Sequence, residues 1–203
     1  MVSHEPSEGD GVRISEQVLT TAARLFSELG YDELTARNIA DACNVDAAVV
    51  TDAYGGKSGV YLAVMERLTQ ERMDYLSPAV AAFTPDFEGL IRLIDRYLDY
   101  CLEHQELPSI WMHRWMSDAT DFPDLEARYG TQPIIMLVDL VAEAVADDVD
   151  PELFTWQVIW AVHSVVRGGI VGVDGVRRHL DDVNVRQRFR RSLHQMARWA
   201  ATR

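Results

Sequence analysis

Apolar residues recur with helical spacing along almost the whole chain, and no convincing strand alternation interrupts them. Near the N-terminus five of them fall at i, i+4, i+7, i+8 and i+11 and so form one stripe: Val18, Ala22, Leu25, Phe26 and Leu29. This stripe predicts a helix from about Ser15 to Leu29, which Gly30 stops. The chain is therefore expected to be an all-α protein.

Two short helices are expected next. Thr35 caps the first, whose buried face is Ile39, Ala40 and Cys43, and Asn44 ends it because asparagine tolerates a left-handed turn. The pattern thus predicts a tight turn before the following helix.

Asp46 is expected to cap that following helix. Val50 and Tyr54 lie four residues apart and should face inward. The outward positions are then Ala47, Ala48, Thr51 and Asp52, with Val49 at the edge. Gly55 and Gly56 break this helix before a long one that runs from about Lys57 to Leu76.

These elements carry a recognisable motif between residues 13 and 64. It reads A-x-x-L-F-x-x-x-G-Y, then T-x-x-x-I-A, then an aromatic residue followed by x-x-K. This arrangement resembles the N-terminal domain of the TetR family of transcriptional regulators. The positions that carry the resemblance are Val18, Leu19, Ala22, Ala23, Leu25, Phe26, Gly30, Tyr31, Thr35, Ile39, Ala40, Val45, Tyr54 and Lys57. Residues 65–203 match that family only in being helical.

The resemblance implies a homodimer in which each subunit places its second and third helices as a helix-turn-helix on half of a palindromic operator. Lys57 lies where the family carries a lysine at the start of the fourth helix, and there its ammonium can meet a phosphate. Further backbone contacts are expected from Arg13, Thr35, Arg37, Thr51 and Tyr54. Tyr54 can equally be interpreted as a core residue. Contacts with base edges are expected from Ala47, Ala48, Val49, Thr51 and Asp52.

The expected organisation has three parts. Residues 1–12 are acidic, contain Gly, Pro and Ser, and lack the features of a signal peptide, which predicts a disordered leader and a cytoplasmic protein. Residues 13–56 form the helix-turn-helix DNA-binding domain. A long helix then joins it to a helical ligand-binding and dimerisation domain over residues 57–203.

Charge complicates the DNA-binding interpretation. The chain holds 19 basic and 32 acidic residues, a net charge of −13, and residues 1–60 hold four cations against ten carboxylates. Asp52 should repel phosphates, although an aspartate can accept a hydrogen bond from cytosine N4 and neighbouring apolar residues can pack on thymine methyls. Lys57 is the only lysine. The C-terminal arginines 186, 188, 190 and 191 fit a solvated face, or partners for the acidic body, better than a second DNA site.

The second half contains a candidate effector pocket around the segment WMHRWM at Trp111 to Met116. Two tryptophans, two methionines and a histidine in six residues suit an apolar pocket with one polar group, although a helix packed on all sides explains them as well. The pocket is expected to bind an apolar or amphipathic small molecule. Its predicted lining is Tyr97, Cys101, Trp111, Met112, His113, Trp115, Met116, Trp156, Trp160 and His163.

The segment from Pro151 to Gly169 is apolar on nearly every side, which indicates two packing partners. In the family the corresponding helix and the last helix form a four-helix dimer interface. Here the last helix is expected over Val185 to Ala200. The predicted interface residues are Val158, Val162, Val165, Gly169, Phe189, Leu193 and Met196.

Enzymatic motifs are absent from the sequence: there is no G-x-S-x-G, Gly-rich phosphate loop, H-E-x-x-H or E-x-x-H pair. Cys43 and Cys101 lack metal or disulfide spacing and are expected to be buried thiols. No catalytic residue, metal or cofactor is therefore predicted. Two functional hypotheses stay open. The first is a ligand-responsive DNA-binding regulator, and such regulators are more commonly repressors. The second is a small-molecule-binding helical dimer that has lost DNA binding and acts by sequestration or protein interaction.

Overall fold

The computed structural model describes residues 8–201, and over this range the protein is almost entirely helical. The helices are α1 (Glu8–Leu29), α2 (Ala36–Cys43), α3 (Ala47–Tyr54), α4 (Lys57–Ala81), α5 (Phe87–Glu103), α6 (Glu106–Trp115), α7 (Leu125–Tyr129), α8 (Thr131–Ala142), α9 (Pro151–Gly168) and α10 (Val183–Ala200). A two-stranded antiparallel hairpin, β1 (Ile170–Val171) and β2 (Arg177–Arg178), joins α9 to α10. The all-α prediction is confirmed.

Helices α1 to α3 form the predicted three-helix unit. Thr35 accepts a hydrogen bond from the Asn38 amide, and the Asn38 side chain accepts one from the Thr35 amide, which completes a capping box. Asn44 ends α2 in the left-handed region, at φ 55°, and Asp46 caps α3 through the Ala48 amide. The sequence predicted each of these caps.

The ends of the first and fourth helices differ from the expectation. The predicted leader at residues 1–12 lies partly outside the described range, but from Glu8 onward the chain belongs to α1, so this part is helical rather than disordered. Leu29 is 51% exposed, because the buried face at the end of α1 runs through Phe26 and Ser27 instead. The fourth helix continues past Pro78 to Ala81.

The C-terminal half is organised around α5, which packs against α4, α9 and α10. Its buried residues include Leu90, Ile94, Tyr97 and Leu98. Helix α6 packs against both α1 and α9, so it connects the three-helix unit to the rest of the bundle. Helices α7 and α8, which the sequence analysis did not place, close the side of the bundle next to α9.

Basic residues of α10 pair with acidic residues of α5. Arg190 bridges Asp95, at 3.0 Å, and Asp99, and His194 Nε2 lies 2.8 Å from Asp95. For Arg190 the predicted role as a partner of the acidic body is therefore the one observed. Arg186 is half-buried, and Arg188 and Arg191 are exposed.

Candidate DNA-binding surface and effector cavity

Helix α3 presents a small, uncharged surface that is interrupted by one carboxylate. Val50 is fully buried, which turns Ala48, Thr51 and Asp52 towards solvent. Ala47 and Val49 lie at the edges and are half-buried. The exposed methyl groups, one hydroxyl and one carboxylate are able to contact base edges, but α3 carries no cation.

The other predicted DNA contacts surround this helix. Arg13 on α1 and Arg37 on α2 are exposed, and Arg37 lies 3.9 Å from Asp41. Thr35 is exposed although its hydroxyl takes part in the α2 cap. The Tyr54 hydroxyl lies 2.6 Å from Ser15 Oγ, which ties α3 to α1. Tyr54 thus has the packing role that the sequence left open.

Lys57 lies at the first turn of α4 and has a second role within the protein. Its ammonium donates a hydrogen bond to the Tyr31 carbonyl oxygen at 3.0 Å and lies 3.8 Å from the centre of the Tyr31 ring. An ammonium has three donors, so this bond leaves others for a phosphate. Lys57 therefore fixes the start of α4 to the turn that follows α1.

A cavity of about 270 Å³ lies between α4, α5, α6, α8 and α9. Five predicted residues line it: Tyr97, Trp111, Trp115, Trp156 and His163. Eight further residues complete the lining: Arg72, Glu126, Gly130, Thr131, Ile134, Ile135, Glu152 and Ile159. Trp115, Glu126, Thr131, Ile135 and Glu152 are exposed, so the cavity reaches the surface along these residues.

The other five residues predicted for the lining are not part of it. Cys101 is buried within α5, and burial raises the pKa of its thiol to about 12. His113 faces α1, where a ring N–H donates to the Ser27 carbonyl oxygen at 3.1 Å. Met116 is 72% exposed beyond the end of α6, Met112 is half-buried, and Trp160 is 48% exposed on α9. These residues are outside the lining because only one face of each helix points at the cavity, on α5 and α9 as well as in the WMHRWM segment.

Polar groups at the buried end of the cavity have unusual environments. His163 Nε2 lies 2.6 Å from the Tyr97 hydroxyl, while its Nδ1 has no hydrogen-bond partner. Burial, with a smaller contribution from the positive charge of Arg72, lowers the pKa of His163 to about 3, so the ring is neutral at pH 7. The positive charge of Arg72 therefore acts on both His163 and Tyr97.

Helix α6 connects this cavity to the DNA-binding unit. Just beyond the helix, the Asp118 carboxylate accepts hydrogen bonds from the amides of Tyr31 at 2.7 Å and Asp32 at 2.9 Å. Gly30 has φ of +82°, and a Cβ there would lie 3.3 Å from that carboxylate. Arg114 holds the following loop through a two-point ion pair with Glu126, at 2.7 and 3.0 Å, and through three carbonyl oxygens. The turn that contacts Lys57 is thus fixed by the segment that follows Trp115.

Four of the seven predicted interface residues lie inside the subunit. Val162 and Leu193 are at most 1% exposed, and Val158 and Phe189 are also buried, because these faces of α9 and α10 pack on the subunit's own core. Val165, Gly169 and Met196 are half-buried. The outer face of α9 instead presents Leu153, Gln157, Trp160 and Ser164, and Trp199 of α10 is 75% exposed.

Sequence reasoning missed Arg72, Glu126 and Glu152 because charged residues on amphipathic helices ordinarily face solvent. For Arg72 a weak signal existed. It lies four residues after Leu68 and four before Leu76, both of which are buried, so it belongs to the apolar stripe of α4. A charged residue within an apolar stripe indicates a buried site.

Within the described residues, none of the helices has the combination of length and hydropathy needed to cross a membrane. The same residues contain no group of three or more His, Cys, Asp or Glu that could hold a metal ion.

Comparison with known proteins relates residues 18–64 to a sequence family and the whole chain to a known fold. Residues 18–64 match the family model described as bacterial regulatory proteins, tetR family. No curated protein matches the chain significantly. Solved structures share the fold over nearly its full length. AibR, in complex with isovaleryl coenzyme A and operator DNA, is 16% identical, with 92% of this chain and 99% of that chain covered and a TM-score of 0.71.

Two further structures show the same similarity. The ketosteroid transcriptional regulator KstR2 of Mycobacterium tuberculosis is 18% identical, with 100% and 98% of the two chains covered and a TM-score of 0.68. A TetR family transcription regulator from Marinobacter aquaeolei VT8 is also 18% identical, with 97% and 100% covered and a TM-score of 0.70. Residues 18–64 therefore match the tetR family of bacterial regulatory proteins, and the chain shares the fold of these solved regulators over nearly its whole length.

Proposed function

We propose that this protein is a ligand-responsive repressor that binds a palindromic operator as a homodimer and is released when a small molecule occupies the cavity. The observation that carries this proposal is the dual placement of the α6 segment. Trp111 and Trp115 line the cavity, and Asp118, three residues beyond Trp115, holds the turn before the helix-turn-helix. A ligand that displaces α6 therefore acts directly on the position of the DNA-binding unit.

The DNA-binding step has the following geometry. Helix α3 enters the major groove with Ala48, Thr51 and Asp52 towards the bases, and Lys57 and the start of α4 lie at the backbone. Arg13, Arg37 and Thr35 flank this contact, together with Tyr54. In a two-fold dimer the two half-sites are one helical turn or more apart, about 34 Å centre to centre. AibR, which shares the fold, is described in a complex with operator DNA and isovaleryl coenzyme A, which supports the same pairing of functions.

Replacing Lys57 by methionine should weaken binding to operator and random DNA alike. Methionine keeps an apolar stem over the Tyr31 ring but loses the charge, so the plot of log K against log salt should flatten by about one unit per half-site. Fluorescence anisotropy across a salt series measures this slope. Arg24→Met, which removes a cation of the same unit that is engaged with Glu28, is the matched control and should leave the slope unchanged.

This measurement also decides between the two functional hypotheses. A wild-type protein without salt-dependent affinity for the DNA adjacent to its own gene would be a sequestering or protein-interaction module. The excess of carboxylates in residues 1–60 is the feature that favours that alternative. An unchanged slope in Lys57→Met would remove only this residue from the DNA contacts.

The homodimer is proposed to form through the outer face of α9 and the exposed end of α10. Leu153→Glu and Trp160→Glu should each weaken the dimer by about 100-fold or more, because central aromatic and apolar residues dominate such interfaces. Sedimentation velocity over a concentration series measures the change. Leu29→Glu is a matched control, since Leu29 is 51% exposed and Leu153 54%. A wild-type monomer at micromolar concentration would refute the proposed assembly.

A further inference from the structure

We propose that the cavity binds a small organic carboxylate with a planar apolar body, and that Arg72 pairs with the carboxylate. This inference rests on the proposed function for the cavity's role as the effector site, and it adds the chemical class of the effector. It follows from an uncompensated buried cation, from two buried polar atoms without partners on other residues that line the same cavity, and from the aromatic walls of that cavity.

Arg72 lies in the middle of α4, lines the cavity and is only 8% exposed. Its single hydrogen bond runs from Nη2 to the Tyr129 carbonyl oxygen at 3.3 Å. Among the described residues, no carboxylate lies within ion-pair distance of its guanidinium, and no aromatic ring lies beneath it in cation–π geometry. Arg72 is therefore a buried cation without a counter-charge in the folded protein.

Such an arrangement is costly for a protein that only needs to fold. Removing an ion from water costs several kcal/mol unless an opposite charge or several hydrogen bonds replace the solvent, and a guanidinium has five donors. One long bond to a carbonyl satisfies little of this demand. Because Arg72 lines the cavity, an anion that enters it would supply the missing partner. A carboxylate matches the planar fork of a guanidinium through two parallel hydrogen bonds.

Two further polar atoms of the same cavity lack partners. Trp111 Nε1 and His163 Nδ1 are buried and make no hydrogen bond. The indole N–H is only a donor, so it too can be satisfied by an acceptor such as a carboxylate oxygen. A buried donor without a partner is destabilising, and a ligand acceptor that bonds it would remove this penalty.

The other ionisable groups of the cavity do not cancel the charge of Arg72. His163 is neutral at pH 7 because burial lowers its pKa to about 3. Glu126 is already paired with Arg114 at 2.7 Å, outside the buried end. Glu152 is exposed in the first turn of α9. Among the described residues, Glu152 is the one lining carboxylate that has no cation within ion-pair distance. An amine could pair with it, so amines are the competing class of ligand.

The aromatic and aliphatic walls of the cavity determine which apolar group of a ligand fits beside the carboxylate. The Trp115 ring stacks on His163 with centroids 5.2 Å apart and a 16° interplanar angle, and it also packs against Trp111 and Trp156. Ile134, Ile135 and Ile159 supply the aliphatic wall. Flat rings facing aliphatic side chains favour a planar apolar body. A volume of about 270 Å³ accommodates one ring with a short substituent.

The test uses three probes that share one body and differ in charge: para-isopropylbenzoate, para-isopropylbenzamide and para-isopropylbenzylamine. Isothermal titration calorimetry on the full-length protein, without DNA, measures each affinity at pH 7. The benzoate should bind about 10- to 100-fold more tightly than the benzamide, the range expected of charge-assisted hydrogen bonds. The benzylamine should bind more weakly still, because Arg72 repels it.

Arg72→Met should abolish the preference for the benzoate over the benzamide while retaining affinity for the apolar body, and Arg72→Lys should restore part of the preference. Arg96→Met is the matched control. Arg96 is an arginine of α5 that also bonds a carbonyl oxygen, that of Tyr75 at 2.9 Å, but it does not line the cavity. This variant should keep the wild-type preference. A thermal melt checks that each variant folds, and the melting temperature of ligand-free Arg72→Met should not fall, since the substitution removes a buried charge without a partner.

Equal wild-type affinities for benzoate and benzamide, a preference for the benzylamine, or no binding of any probe would each overturn the proposal. So would a benzoate preference that persists in Arg72→Met. A ligand-free Arg72→Met variant that is much less stable than wild type, with its ligand preference unchanged, would assign Arg72 to the structure of the bundle alone. Because these titrations contain no DNA, they succeed or fail independently of the operator-binding experiment that tests the proposed function.

Discussion

Replacing Gly59 by alanine should displace the DNA-reading helix and lower both stability and DNA affinity. Gly59 lies in the first turn of α4, and a Cβ at this position would lie 1.5 Å from the Tyr54 carbonyl oxygen and 2.7 Å from its carbon. Both atoms belong to the backbone at the end of α3, so no side chain can rotate away. The end of α3 must move instead.

We expect Gly59→Ala to cost about 3 kcal/mol or more in the free energy of unfolding, at the upper end of the cost of overpacking. Because α3 carries the proposed base contacts, operator affinity should fall by about 100-fold or more, equivalent to losing one or two base contacts. Urea denaturation and fluorescence anisotropy measure the two quantities.

Two glycine variants control this experiment. At Gly168 a Cβ would meet only Arg177 Nη1, at 3.8 Å, so Gly168→Ala should be neutral or slightly stabilising. At Gly89 a Cβ would lie 1.8 Å from the Thr84 carbonyl oxygen, within the C-terminal half. Gly89→Ala should destabilise the protein without the specific loss of DNA affinity. Wild-type DNA affinity in Gly59→Ala would contradict the tight contact between α3 and α4.

Asp118→Ala should uncouple the cavity from the DNA-binding unit. The substitution removes two hydrogen bonds to the amides of Tyr31 and Asp32, and the loss should cost about 1–3 kcal/mol of stability because the carboxylate is partly buried. The larger effect concerns regulation. In the wild type we expect a ligand such as para-isopropylbenzoate to weaken DNA binding by a coupling free energy of about 1–3 kcal/mol, and in the variant this coupling should approach zero.

The measurement is operator affinity with and without saturating para-isopropylbenzoate, in both proteins. Asp121→Ala, an exposed carboxylate of the same loop, is the control and should retain the wild-type coupling. If Asp118→Ala binds the probe and responds to it as the wild type does, the signal passes from the cavity by another route.

The three-helix unit was predictable because its determinants are local. Thr35, Asn44 and Asp46 act on amides within a few residues, so their roles can be read from spacing, and the structure has all three caps as expected. Helix ends governed by longer-range contacts were harder to predict. Leu29 falls on the apolar stripe of α1 but is half exposed, and α4 continues beyond Pro78.

The cavity was predictable only in part, for a physical reason. Aromatic composition identified α6 and α9, but periodicity cannot say which face of a helix meets a cavity and which meets another helix. His113, one face away from the cavity, bonds the Ser27 carbonyl oxygen instead. The same ambiguity affected α9. Val158 and Val162 were predicted at the dimer interface but are buried in the subunit, whereas Trp160 was predicted in the cavity but is exposed. Arg72 could be assigned only once the helices around the cavity were seen to enclose it.

Lys57 and Arg72 stand on the same helix, fifteen residues apart, and this spacing has a mechanical consequence. At 1.5 Å per residue the two positions are separated by about 22 Å along α4. If α4 pivots near Arg72, a tilt of about 5° carries Lys57 sideways by about 2 Å. In a two-fold dimer whose helices tilt in opposite directions, the spacing between the two DNA-contacting ends changes by about 4 Å, more than the roughly 3.4 Å rise of one base pair. A small rotation of α4 would thus shift the DNA-contacting ends of the two subunits out of register with an operator of fixed length.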